Sequence, residues 1–174
     1  MKRYKIFLLL LIMMGCGGND TYSSPAMSSN PLTDTLVKTS DISYNGQYTL
    51  IADNKQVCLW NNKIIQLKLP CLIGKAKDYI EIVKIAKNND YFVTSNRVSV
   101  RLYSIKNGKL IGEWSLQDHI INDIALSKDS DVILLGFRSG KVSVINPFTK
   151  AMATYQKHKL DINSVSISDD GRFA

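Results

Sequence analysis

One six-residue pattern occurs four times at nearly constant spacing, and it constrains the fold more than any other feature. Ser43-Tyr-Asn-Gly-Gln-Tyr48 matches Ala86-Lys-Asn-Asn-Asp-Tyr91, Ser127-Lys-Asp-Ser-Asp-Val132 and Ser168-Asp-Asp-Gly-Arg-Phe173. The fourth residues are Gly46, Asn89, Ser130 and Gly171, at intervals of 43, 41 and 41. A second landmark follows each of the first three: Val57-Cys-Leu-Trp60, Val100-Arg-Leu-Tyr103 and Val142-Ser-Val-Ile145, with last residues 43 and 42 apart. Two independent landmarks keeping one period define an internal repeat. Its copies span 36–78, 79–119, 120–160 and, incompletely, 161–174.

Within a repeat the pattern is β. Val98, Val100 and Leu102 alternate with Ser99, Arg101 and Tyr103; Ile124 and Leu126 alternate with Asp123 and Ala125; Val165 and Ile167 alternate with Ser164 and Ser166. A period of two sends one set to a buried face and the other to the opposite face. Turn formers separate the runs at Asn45-Gly46, Asn61-Asn62, Asn107-Gly108, Ser139-Gly140 and Asp170-Gly171. The expectation is about four short strands per repeat, with no helical stripe beyond the N-terminus.

Four strands in 40 to 45 residues is the unit of a β-propeller blade. Asp161-Ile-Asn-Ser-Val-Ser-Ile-Ser-Asp-Asp-Gly171, preceded by His158, resembles the histidine, strand and turn that open WD repeats. His119 with Ile120 to Ser127 is a second match, and Gly136 to Ile145 looks like the strand pair that follows. The resemblance covers roughly residues 36–174 and implies an all-β propeller of four-stranded blades. The family's Trp-Asp pair is replaced by Trp60-Asn61, Tyr103-Ser104 and Ile145-Asn146. Its His–Ser/Thr–Asp–Trp hydrogen-bond network is therefore incomplete in every visible blade. The resemblance gives structural roles to His119, His158, Trp60, Gly46 and Gly171. Leu102 to Trp114 is similar instead to the strand–turn–strand signature of quinoprotein-type propellers, a family that includes lipoproteins aiding outer-membrane protein assembly. Propellers close with four to eight blades, whereas the chain ends at Ala174, inside the second strand of a fourth. The expectation is a part of a longer protein.

Residues 1–15 carry Lys2, Arg3 and Lys5, then a nine-residue apolar run from Ile6 to Met14, then Gly15 before Cys16. That is a secretory signal ending in cysteine, and it resembles the signals of bacterial lipoproteins. The resemblance implies removal of residues 1–15 and acylation of Cys16. Gly17 follows the cysteine where Asp would favour inner-membrane retention, so the implied location is the outer membrane, facing the periplasm. An uncut signal anchor is the competing reading, but nine apolar residues fall short of the about 20 that span a bilayer. Residues 16–35, rich in Ser, Thr, Asn, Gly and Pro, read as a flexible tether.

The two other cysteines, Cys58 and Cys71, lie in a compartment where disulfides form. Two readings stay open: a bonded pair, which needs a bend because the inferred hairpin does not oppose them, or two buried thiols. Without Lys2, Arg3 and Lys5, 19 of the 22 basic side chains remain against 15 acidic ones, a net charge of +4. The bases are scattered with no run of five, which speaks against a nucleic-acid surface.

Chemistry is sparse. Cys58 and Cys71 lack zinc-ligand spacing. Gly136-Phe-Arg-Ser-Gly140 misses the G-x-S-x-G nucleophile pattern by one position. Asp129-Ser-Asp131 lacks the further ligands of a calcium loop, and no glycine loop cradles phosphate. No catalytic residue, cofactor, metal or small-molecule substrate is inferred. The expected role is a lipid-anchored, non-enzymatic scaffold in the bacterial envelope that binds an unidentified protein. The alternatives are the quinoprotein-type lipoprotein and an enzyme whose catalytic residues lie in further blades.

Overall fold

The computed structural model describes residues 36–73, 79–116, 118–156 and 158–174. Among them are thirteen strands and no helix, arranged as three antiparallel sheets, each four strands wide. The first holds β1 (Thr39–Ile42), β2 (Tyr48–Ala52) and β3 (Gln56–Asn61), with β4 (Gln66–Leu67) and β5 (Leu72–Ile73) sharing the place beside β3. The second holds β6 (Ile82–Ile85), β7 (Tyr91–Ser95), β8 (Ser99–Ser104) and β9 (Leu110–Ser115). The third holds β10 (Ile121–Leu126), β11 (Ile133–Phe137), β12 (Lys141–Ile145) and β13 (Met152–Gln156). In each sheet the strands are neighbours in chain order.

The repeated hexapeptide is one turn built four times. Ser43 N–H donates to Tyr48 O, Ala86 to Tyr91, Ser127 to Val132 and Ser168 to Phe173, at 2.9 to 3.0 Å. The fourth residue donates back to the first in every copy. That fourth residue is left-handed each time: φ is 69° at Gly46, 63° at Asn89, 58° at Ser130 and 69° at Gly171. Glycine and asparagine accept such a conformation at small cost, which is why these types recur. Where the first residue is serine, its Oγ accepts from the N–H five residues on, as at Tyr48, Val132 and Phe173. In the fourth copy the Ser168 hydroxyl and the Arg172 N–H hold the Asp170 carboxyl below its ordinary pKa.

The turns from the third to the fourth strand repeat as well. Asn61 Oδ1 accepts from Lys63 N–H, Ser104 Oγ from Lys106 N–H, and Asn146 Oδ1 from Phe148 and Thr149 N–H. Four residues beyond each cap the backbone is again left-handed: Ile65 (φ 50°), Gly108 (69°) and Lys150 (62°). Ile65 is the outlier, since a β-branched side chain is strained there. Ile65→Asn is expected to raise stability by about 1 kcal/mol; a urea midpoint at or below wild type would contradict the strain.

Packing follows the alternation. Tyr48, Leu50, Ala52, Val57 and Leu59 of the first sheet meet Val83, Ile85 and Phe92 of the second. Val93, Val100 and Leu102, on the other face of the second sheet, meet Ile124, Ile133, Leu135, Phe137 and Ile145 of the third. The first strands lie together, β6 against β1 on one side and β10 on the other. A backbone strap recurs between sheets: Ile80 N–H donates to Asn54 O (3.3 Å), Ile121 to Arg97 O (2.7 Å) and Ile162 to Phe137 O (3.1 Å). All three isoleucines are buried, at intervals of 41 residues.

One strand expectation is corrected. Residues 161–167, read as the first strand of a fourth repeat, form no ladder. A ladder needs a second strand, and the turn at Ser168 delivers only Phe173 and Ala174. The segment instead lies along the third sheet, with Val165 N–H donating to Asp123 Oδ2 (3.0 Å) and the Asn122 side-chain amide to Ile162 O (3.1 Å).

Candidate interaction surfaces

The outer face of the first sheet is built by register. Ile42 pairs with Thr49, Thr49 with Trp60, and Trp60 with Leu67, so the four side chains form one row across the sheet. The same register gives Ile85, Phe92 and Tyr103 in the second sheet, and Leu126, Ile133, Ile145 and Met152 in the third. Phe92, Ile133 and Ile145 are buried against the preceding sheet. Among the described residues no sheet lies over this row of the first sheet. Ile42 is 60% exposed, and the buried Trp60 Nε1 has no hydrogen-bond partner among the described residues.

The third sheet ends the stack with the opposite kind of face. Leu50 with Leu59, and Val93 with Leu102, are buried pairs that face the following sheet. Their counterparts are Leu134 with Val144. Residues 162–165 cover part of this face. A methyl added at Gly136 would stand 2.7 Å from Ile162 Cγ2 and 2.8 Å from Val165 Cγ1. Ala153 and Tyr155, farther out on β13, are exposed.

Cys58 and Cys71 are joined as a disulfide, with Cα atoms 4.3 Å apart. A two-residue shift in register makes this geometry. Continuing the pairing of Trp60 with Leu67 would set Cys58 opposite Leu69. The pairing of Val57 with Leu72 sets it opposite Cys71. The extra residues around Pro70, which interrupt the fourth strand between β4 and β5, supply the bend that pairing requires.

The two histidines lie in unlike surroundings, though both sit on links leading to the next first strand. His119 is half-buried, its ring 5.2 Å from that of Phe137 and its Nε2 3.5 Å from Lys141 Nζ. The His158 side chain is exposed, and its backbone N–H donates to Gly140 O (3.1 Å). Trp60 Nε1 has no hydrogen-bond partner among the described residues, and Gly46 and Gly171 are the left-handed turn residues described above. Cys16 and the segments 1–15 and 16–35 lie outside the described residues.

Aspartates on first strands bind the next repeat: Asp41 Oδ2 accepts from Ile85 N–H (2.7 Å), as Asp123 does from Val165. Lys84 Nζ stands 4.0 Å from Asp123 Oδ1. These groups join strands to one another. Among the described residues no three His, Cys, Asp or Glu side chains converge as a metal site, and no helix is long and apolar enough to cross a membrane. No protein-family model matches the chain, and no curated protein matches its sequence.

Proposed function

We propose that residues 36–174 are part of a WD-type β-propeller, tethered by a lipid at Cys16 to the outer membrane on its periplasmic side, that serves as a protein-binding scaffold. The observation that carries the propeller reading is the ion pair of Lys87 with Asp169, two repeats apart. Layers packed face to face lie about 10 Å apart, so in a straight stack the turn at Asp169, on the segment over the third sheet's far face, would stand about 20 Å from the equivalent turn of the second sheet. That exceeds the reach of one lysine and one aspartate. The first-strand turns therefore converge, while the fourth strands β4 and β13 lie exposed at the outside.

Two further features support closure around an axis. Successive turns are linked, Asn88 N–H to Lys128 O (3.1 Å) and Lys128 N–H to Asp169 O (3.0 Å). The end faces of the stack are also of matching kinds, each presenting the row that the internal interfaces bury. Further sheets of the same repeat would cover both. A ring of this kind offers its loops and channel as binding surfaces.

The anchor rests on the tripartite start ending in Gly15-Cys16. Several acyl chains hold a protein stably where one is marginal. Cys16→Ser is expected to shift the protein from the membrane to the soluble fraction and to change its electrophoretic mobility. Variant protein that stays membrane-bound with wild-type mobility would refute acylation at this residue.

A further inference from the structure

The turns joining third to fourth strands share one composition. They read Asn61-Asn-Lys-Ile-Ile-Gln-Leu67, Ser104-Ile-Lys-Asn-Gly-Lys-Leu110 and Asn146-Pro-Phe-Thr-Lys-Ala-Met152. Lys63, Lys106, Lys109 and Lys150 are all exposed, and the three segments contain no acidic residue. Between the lysines stand exposed apolar groups: Ile64, Ile65, Leu110, Phe148 and Met152, from 48% to 63% exposed. The Ile65 conformation adds an independent observation. Its backbone is held at φ 50°, where glycine occupies the equivalent place in the second sheet. Strain kept at a surface position, with the bulky side chain turned outward, points to use of that side chain.

The three turns lie on one rim. Asn62 N–H donates to Gln47 O and Ile105 N–H to Asp90 O, tying the first two outer turns to the inner turns of their own sheets. Phe148 reaches Tyr91 of the preceding sheet, ring centroids 5.7 Å apart, edge to face. The acidic groups of this rim sit on the inner turns, apart from the outer lysines: Asp90, Asp129 and Asp170 are exposed, Asp169 pairs with Lys87, and Asp131 accepts from Ser127 Oγ.

We propose that the outer arc of this rim docks on an anionic lipid bilayer. Apolar tips enter the boundary between headgroups and acyl chains, while lysine stems lie along them and carry their charges to lipid phosphates. Each lysine near such a surface adds roughly fivefold to binding, and the attraction falls off within about a Debye length. The inference rests on the proposed envelope attachment for which bilayer is met. A tether at Cys16 would keep the rim at high local concentration near that surface, so weak docking suffices.

The test is lysine footprinting of the full chain, purified from membranes and placed in vesicles of phosphatidylcholine alone or of phosphatidylcholine with phosphatidylglycerol. A water-soluble acylating reagent should label Lys63, Lys106, Lys109 and Lys150 about tenfold less in the anionic vesicles. Lys55 and Lys159, exposed at the opposite ends of the strands, should label equally in both. Equal labelling of all six in both vesicles overturns the proposal. So does equal protection by soluble polyglutamate, which would mark an acidic protein as the partner. The mass of the Cys16 peptide in the same digest reports acylation, so loss of the anchor and loss of docking are read separately.

Discussion

Gly140→Ala lowers stability by about 3 kcal/mol or more, the largest expected effect of a methyl group added at a described glycine. Two costs combine. Gly140 has φ 74°, a left-handed conformation that any Cβ resists. That Cβ would also stand 2.2 Å from the carbonyl oxygen of His158 and 2.8 Å from that of Leu160. Both obstacles are backbone, so no side chain can swing away. Relief requires the link at 158–160 to move, which breaks the bond from His158 N–H to Gly140 O and strains the strap from Ile162 N–H to Phe137 O. Urea unfolding should show the loss, and the Ile162 amide should exchange faster with solvent. Gly46→Ala provides the contrast: φ is 69° but nothing lies within 4 Å of the added methyl, so only the conformational cost applies. A Gly140→Ala midpoint equal to that of Gly46→Ala would show that the link does not pack as described.

The second large effect concerns the uncovered row on the first sheet. Ile51 shares that face with Trp60 and pairs with Cys58, at the register position of Thr94 and Leu135. Thr94 is 4% exposed and Leu135 fully buried. If a sheet of the same kind packs there, Ile51→Asp buries an unpaired carboxylate and disrupts the interface. If the face is solvated, the same change is worth less than about 0.5 kcal/mol, as for ordinary surface positions.

Much of this architecture was legible in the residues because turn chemistry is local. Gly46, Asn89, Ser130 and Gly171 announce one turn without help from the rest of the chain, and the alternation around Val100 and Ile124 gives the strand faces. Other features depend on distant partners and left no such mark. The straps at Ile80, Ile121 and Ile162 keep a 41-residue interval, but isoleucine is a common core residue and nothing beside it signals a strap. The disulfide needs a two-residue shift that only the split fourth strand reveals. Ile65 and Lys150 are left-handed against their residue type, imposed by the turn that Asn61 and Asn146 cap. His119 and His158 look equivalent in sequence, yet one ring packs on Phe137 and the other is exposed. The outer rim is visible in sequence only once the three turns are known to be equivalent.

On the proposed reading, the two end faces are interfaces for further sheets of this repeat. Sedimentation velocity of residues 17–174, wild type and Ile51→Asp, tests it most directly. Repeat arrays without covered ends associate or lose solubility. The account predicts concentration-dependent association of the wild-type chain, reduced in the variant, and a compact monomer once further repeats are joined after Ala174. A wild-type chain that stays monomeric at every concentration, unfolds cooperatively in urea and tolerates Ile51→Asp would contradict it.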